Sequence, residues 1–181
     1  MTTENAIREI LKNIGEDPDR EGLTETPERI QEMHQELFSG YNINPHKVLK
    51  TFDAEGTRDM ILVRDIQYYS MCEHHMIPFF GKAHIAYLPE KKITGLSKLP
   101  RIVDIFAKRL QNQERITQQV GQTLFEELKP KGVAVMITGT HLCMHARGVR
   151  NTTSEAVTHC WLGEFEKSSD LRREFLMKIK D

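Results

Sequence analysis

Apolar residues recur at helical spacing at the start of the chain. Ala6, Ile7, Ile10, Leu11 and Ile14 form one stripe, and Gly15 supplies a stop. Asp17-Pro18 through Gly22 reads as a turn. Thr26 as N-cap and Pro27 at the first helical position predict a second helix, with Ile30, Met33, Leu37 and Phe38 as its apolar stripe and Gly40 as its end. Asn42 to Pro45 is a loop. The period then changes. Met60–Val63 predicts a short strand, and Phe80–Leu88 alternates Gly81, Ala83, Ile85 and Tyr87 against Lys82, His84, Ala86 and Leu88. Helical periodicity returns twice, first with Ser97 as cap and Ile102, Val103, Phe106 and Leu110 inward, then with Ile116, Val120, Leu124 and Leu128. Lys129-Pro130-Lys131-Gly132 stops the second of these helices. Val133–Ile137 is a buried strand that continues into His141-Leu142-Cys143, Thr152–Trp161 a last strand, and Ser168-Ser169-Asp170 the start of a closing helix with Leu171, Phe175, Leu176 and Ile179. The pattern predicts one α+β domain over residues 1–181, with a helical N-terminal part at 1–50 and a mixed core at 51–181.

Composition narrows the function. A chain of 181 residues with 39% hydrophobic residues can bury a core. Its formal net charge of −1 argues against non-specific nucleic-acid binding, which needs a basic excess to displace counterions. No secretory leader and no apolar run of membrane-spanning length is seen, so a soluble cytoplasmic protein is expected. The three cysteines, Cys72, Cys143 and Cys160, form an odd set, which leaves ligation, catalysis or burial rather than a disulfide framework. Neither a Walker phosphate loop nor a dinucleotide-binding glycine pattern is present.

The chemistry concentrates at Cys72-Glu73-His74-His75 and at His141-Leu142-Cys143-Met144-His145. Cys72 and His75 have the C-x2-H separation that lets one turn offer a thiolate and an imidazole to a single metal, and Cys143 can supply a third ligand from another strand. Two cysteines and a histidine with no fourth protein ligand describe a catalytic zinc, because structural sites close all four positions. Each residue alone has an ordinary reading as a buried cysteine or a surface histidine; the joint pattern favours the metal. On a strand, His141 would share a face with Cys143, beside the metal and placed for proton transfer. His145 shares that parity. As a fourth ligand it would make the site structural, and the sequence leaves both readings open. Ser97-Lys98-x-x-Arg101 at a helix start can face an anion or be a plain capped helix, and Arg147-Gly148-Val149-Arg150 is a small basic cluster. His34, His46, His84 and the His159-Cys160 pair read as surface or packing residues.

Five motifs in order resemble the GTP cyclohydrolase I family. They are Glu25-Thr26-Pro27-Glu28-Arg29, Ser70-Met71-Cys72-Glu73-His74-His75, Gly95-Leu96-Ser97-Lys98-Leu99-Pro100-Arg101, Gln113-Glu114-Arg115-Ile116-Thr117, and His141-Leu142-Cys143 with Arg147-Gly148. The resemblance runs from about Asp17 to the C-terminus. It implies a T-fold (tunnelling fold) domain, with an antiparallel sheet and helices on one side, assembled as a homodecamer of two five-membered rings with active sites at subunit interfaces. It implies zinc on Cys72, His75 and Cys143, and proton transfer by His74 and His141. It places guanine on Gln113 and Glu114 and the ribose by Ser97. Lys98, Arg101, Arg147 and a neighbouring subunit's copy of Arg29 would hold the triphosphate. The implied reaction opens the imidazole ring of GTP by hydrolysis, giving 7,8-dihydroneopterin triphosphate and formate. Four residues depart from the family pattern: Leu110 where proline is usual, His145 where no histidine belongs, and His159-Cys160 where serine or threonine is usual. The N-terminal extension of regulated animal members is not seen, so no regulatory partner acting through it is expected. The alternatives are a T-fold nitrile reductase of the queuosine pathway, which lacks this zinc triad, and a non-catalytic zinc-stabilised T-fold protein.

Overall fold

The computed structural model describes residues 2–180, which divide into two compact units, one running to Ser39 and one from Gly40 onward. The first unit holds α1 (Thr3–Asn13) and α2 (Thr26–Leu37). Thr2 caps α1 by accepting from the Asn5 N–H, and Ile7 and Leu11 are its buried residues. Thr26 is already helical in α2, with Glu25 at the cap position, one residue earlier than expected.

The second unit contains β1 (Thr51–Asp53), β2 (Ile61–Cys72), β3 (Pro78–Leu88), β4 (Lys92–Thr94), α3 (Lys98–Ala107), β5 (Leu110–Gln111), α4 (Gln113–Leu128), β6 (Gly132–His141), α5 (Leu142–His145), β7 (Ala156–Gly163), α6 (Glu164–Lys167) and α7 (Ser169–Lys178). Five strands form one sheet in the order β5-β2-β3-β6-β7, antiparallel throughout except for β5 against β2. Strands β1 and β4 form a separate antiparallel pair.

Helices α3 and α4 cover the face that carries Phe79, Ala83, Ile85 and Tyr87. Leu99, Ile102, Val103, Ile116, Val120 and Leu124 complete that core, and none of these ten side chains is exposed. Gly121 of α4 packs directly on Cys160 of the sheet, where a Cβ would lie 2.6 Å from Cys160 Sγ, and the buried Cys160 is a packing residue. On the opposite face, Phe165 and Phe175 of α6 and α7 pack on Ala86, Leu88 and Ala134. Among the described residues, no helix is long and apolar enough to cross a membrane.

Three elements differ from the sequence reading. Strand β2 runs on to Cys72, because a bulge between Val63 and Ile66, with Asp65 at φ 59°, hides the continuing alternation of Ile66, Tyr68 and Ser70 behind a polar Arg64-Asp65 step. Leu110 does not face inward from a helix. Helix α3 stops at Ala107, and Leu110 and Gln111 pair with Met71 and Cys72 instead. Cys143 is not on a strand, since β6 ends at His141 and Cys143 lies in the single turn of α5.

Candidate active site

The turn between β2 and β3 carries the first two metal-ligand candidates. Cys72 is buried at the end of β2; its N–H donates to Ile77 O at 3.0 Å and its C=O accepts from Met76 N–H at 2.8 Å. Met76 takes a left-handed conformation, φ 51°, to close this turn, which leaves His75 on the outside. Strand β6 pairs with β3, with Phe79 opposite His141, so the residues just beyond His141 arrive beside the turn. One ligand atom each from Cys72, His75 and Cys143 then lies within 4.8 Å of the others. Cys72 Sγ is 4.0 Å from His75 Nδ1 and 3.7 Å from His74 Nδ1. Burial pushes the Cys143 thiol up, and the neighbouring Cys72 sulfur pushes it further. Two sulfurs competing for negative charge beside an imidazole are a donor set suited to zinc, and three donors leave one position of a tetrahedron free.

His145 takes no part in this group. Its Nε2 is 3.3 Å from the Ser154 carbonyl oxygen, and it is absent from the cluster of converging donors. The alternation that would have put it on the cysteine face ends with β6, because α5 is helical.

A cavity of about 240 Å³ opens beside the cluster, lined by Cys72, His74, Glu114, His141 and Cys143 among others. The His141 ring stacks on Phe79, with centroids 4.6 Å apart and planes 7° from parallel. Its Nε2 is 3.0 Å from Gln113 Oε1. The carboxamide expected to face a guanine is instead committed within the chain. Gln113 is 1% exposed, and its Nε2 donates to Ile137 O, Ala156 O and Thr158 Oγ1 at 3.0, 3.1 and 3.1 Å. Burial lowers the His141 pKa, an effect that the Glu114 carboxylate opposes and His145 reinforces. Burial raises the Tyr68 phenol, whose O–H reaches Thr138 O at 3.2 Å on the same inner side. Phe79 and Gly139 escaped the sequence reading. A Cβ on Gly139 would lie 2.3 Å from Gln113 Oε1, so only glycine admits the carboxamide there.

The remaining expected residues lie elsewhere. Ser97 stands exposed at the cap of α3 with no capping hydrogen bond, contrary to the capping role expected for it, and neither it, Lys98 nor Arg101 lines this cavity. Arg101 borders a different groove of about 270 Å³, with Val48 and Asp104. Arg147 lies by the metal-ligand candidates, its Nη1 3.4 Å from His75 Nε2. Arg29 belongs to the first unit, where it pairs with Glu25 on α2.

The family model of GTP cyclohydrolase I matches residues 3–180. This chain belongs to the GTP cyclohydrolase I family. It is 52% identical over 178 residues to GTP cyclohydrolase 1 of Leptospira biflexa serovar Patoc, covering 98% of this chain and 97% of that one. It is 50% identical over 179 residues to GTP cyclohydrolase 1 of Brucella canis, covering 98% of this chain and 84% of that one. Among solved structures, the archaeosine synthase QueF-Like in the apo form aligns with a TM-score of 0.48 and 12% identity over 57% of this chain and 93% of that one. The α+β architecture agrees with the one expected for a member of this family, a mainly antiparallel sheet with helices α3 and α4 on one face, and departs from it in that α6 and α7 pack on the opposite face.

Proposed function

We propose that this chain is a zinc-dependent GTP cyclohydrolase I, which hydrolytically opens the imidazole ring of GTP to give 7,8-dihydroneopterin triphosphate and formate, the first step of pterin and tetrahydrofolate synthesis. The observation that carries the reading is the convergence of Cys72, His75 and Cys143 at the edge of a cavity that also holds His74, His141 and Glu114. A zinc ion on those three residues would supply Lewis acidity that makes water nucleophilic near neutral pH.

The chain's own residues supply binding and proton transfer. The Glu114 carboxylate accepts hydrogen bonds from the guanine N1–H and amino group, with Gln113 fixing that end of the cavity from behind. Gln113 Oε1 can only accept, since the amide nitrogen faces two carbonyls. His141 therefore keeps a proton on Nε2 and exchanges protons at Nδ1. His74, exposed on the turn, is the second proton carrier. Ser97 contacts the ribose, while Lys98, Arg101, Arg147 and Arg29 hold the triphosphate. That none of Ser97, Lys98, Arg101 and Arg147 lines the cavity of one copy supports an assembly, two rings of five, in which neighbouring copies complete each site. Use of GTP fits a cytoplasmic enzyme. The non-catalytic zinc reading rested on His145 as a fourth ligand, and the bond of His145 to the Ser154 carbonyl removes that support.

Incubation with GTP alone tests the proposal. A fluorescent pterin after oxidation and dephosphorylation, lost on chelation and restored by zinc, is the expected result. Zinc-loaded protein that forms no pterin from GTP overturns it.

A further inference from the structure

Glu73 follows Cys72 in the β2–β3 turn, and its carboxylate meets side chains at the start of α4, with His74 Nε2 of its own turn 3.9 Å from Oε1. It takes a two-pronged contact from Arg115 on α4, Nη1 to Oε2 at 2.5 Å and Nη2 to Oε1 at 2.9 Å. Asn112 Nδ2 adds a third contact to Oε1 at 3.0 Å. Asn112 is at the same time the cap of α4, its Oδ1 accepting from the Arg115 N–H at 2.8 Å. The Glu73 N–H donates to Gln111 O at 2.9 Å, which continues the pairing of Cys72 with Gln111. The turn bearing Cys72 and His75 is thus tied by backbone and by a planar, bidentate ion pair to the start of the helix that carries Glu114. Arg115 holds the Glu73 carboxyl below the usual carboxylate range.

Surface ion pairs usually contribute little to stability, and Glu73 is 27% exposed, so fold stability does not explain a clamp with three donors. Its effect falls on geometry. Cys72 is held by strand pairing, but His75 lies beyond the strand, exposed, in a turn closed by a left-handed Met76. Without the clamp that turn can swing away from α4, and His75 with it.

We propose that Glu73 and Arg115 are positioning residues that hold the Cys72–His75 turn in register with the N-terminus of α4, setting both the metal affinity and the spacing between the metal ligands and Glu114. This rests on the zinc reading above. Residues that orient metal ligands typically alter affinity about tenfold to a hundredfold when removed.

Charge and position predict opposite signs at Arg115. If the pair acted only through its charges, Arg115→Met would remove a cation near the zinc site and leave zinc binding equal or tighter. Positioning predicts weaker binding. The test measures Zn²⁺ affinity by competition with a chromophoric chelator in the parent, Glu73→Gln, Arg115→Met, Arg115→Lys and the Glu73→Gln/Arg115→Met double variant, with urea unfolding of each. The expected result is zinc binding weakened about tenfold or more in both single variants at near-parent urea midpoints. The double variant is expected to be no weaker than the worse single, and Arg115→Lys to be weakened too, because an ammonium keeps the charge and loses the fork. Parent-like or tighter zinc binding by Arg115→Met overturns the inference. A parent that binds no zinc instead overturns the metal reading on which it stands.

Discussion

His141 donates from Nε2 to Gln113 Oε1 at 3.0 Å, and the direction of that bond is set by the buried carbonyls of Ile137 and Ala156, which occupy the amide nitrogen of Gln113. With Phe79 stacked on its face, that bond selects one tautomer and leaves Nδ1 for the proton transfer proposed above. His141 is two residues from Cys143 but outside the converging donor group. His141→Ala is therefore expected to retain zinc and to bind GTP nearly as the parent does, while turnover falls about a hundredfold to ten-thousandfold. Zinc content, GTP binding and pterin formation measured on one preparation check this. Loss of zinc together with activity would make His141 a ligand.

Gly139 allows that bond to form. A methyl group there would meet Gln113 Oε1 at 2.3 Å and Tyr68 Oη at 2.7 Å. Gly139→Ala is expected to push the carboxamide away from His141 and lower kcat about a hundredfold, the usual cost of misplacing a catalytic group by about an ångström. Zinc content should remain at the parent level. Steady-state kinetics with metal analysis decides, and a parent-like kcat would show that the Gln113 contact is dispensable.

The three ligand candidates leave none to spare, so Cys72→Ala, His75→Ala and Cys143→Ala should each lose zinc and turnover. His145→Ala should keep both, because its ring is turned to the Ser154 carbonyl. Zinc content after gel filtration checks all four. Full occupancy in Cys143→Ala, or an empty site in His145→Ala, would reassign the ligands.

His84 carries a pH dependence of stability. Its Nδ1 accepts the Asp65 N–H at 3.3 Å, so the folded ring is held neutral at that atom. Burial lowers its pKa from the ordinary 6.5; the Asp65 carboxylate opposes this, and Lys82 and Arg64 reinforce it. As pH drops through about 6.5, the unfolded chain takes up a proton that the folded chain resists. The stability present above that pH is then lost as pH falls. His84→Asn keeps an acceptor for the Asp65 N–H without titrating. Between pH 7.5 and 5.5 the urea midpoint of the parent should therefore fall further than that of the variant. Parallel curves would remove His84 as the cause.

The ligand types and most helices were legible in the sequence, because both are local properties. A C-x2-H pair fits one turn whatever surrounds it, and the 3.6-residue stripes of α3 and α4 report the face each helix buries. Cys72, His75 and Cys143 could be named as ligand candidates on residue chemistry alone. The strand argument that joined His141 to Cys143 was wrong in its geometry, since β6 stops at His141. What brings Cys143 to the turn is the pairing of β3 with β6 and the helical turn that follows.

Tertiary structure alone decided the rest. Strand register over residues far apart in the chain places Gln113 Oε1 on His141 and Glu73 on Arg115, separations of 28 and 42 residues that no local pattern encodes. The β2 bulge conceals its own strand, because one inserted polar residue shifts the alternation on which sequence reading depends. The commitment of the Gln113 amide, the need for Gly139 and the turning away of His145 are all matters of which atoms meet. Residue type sets what a side chain can do, and packing between distant segments sets which partner it finds.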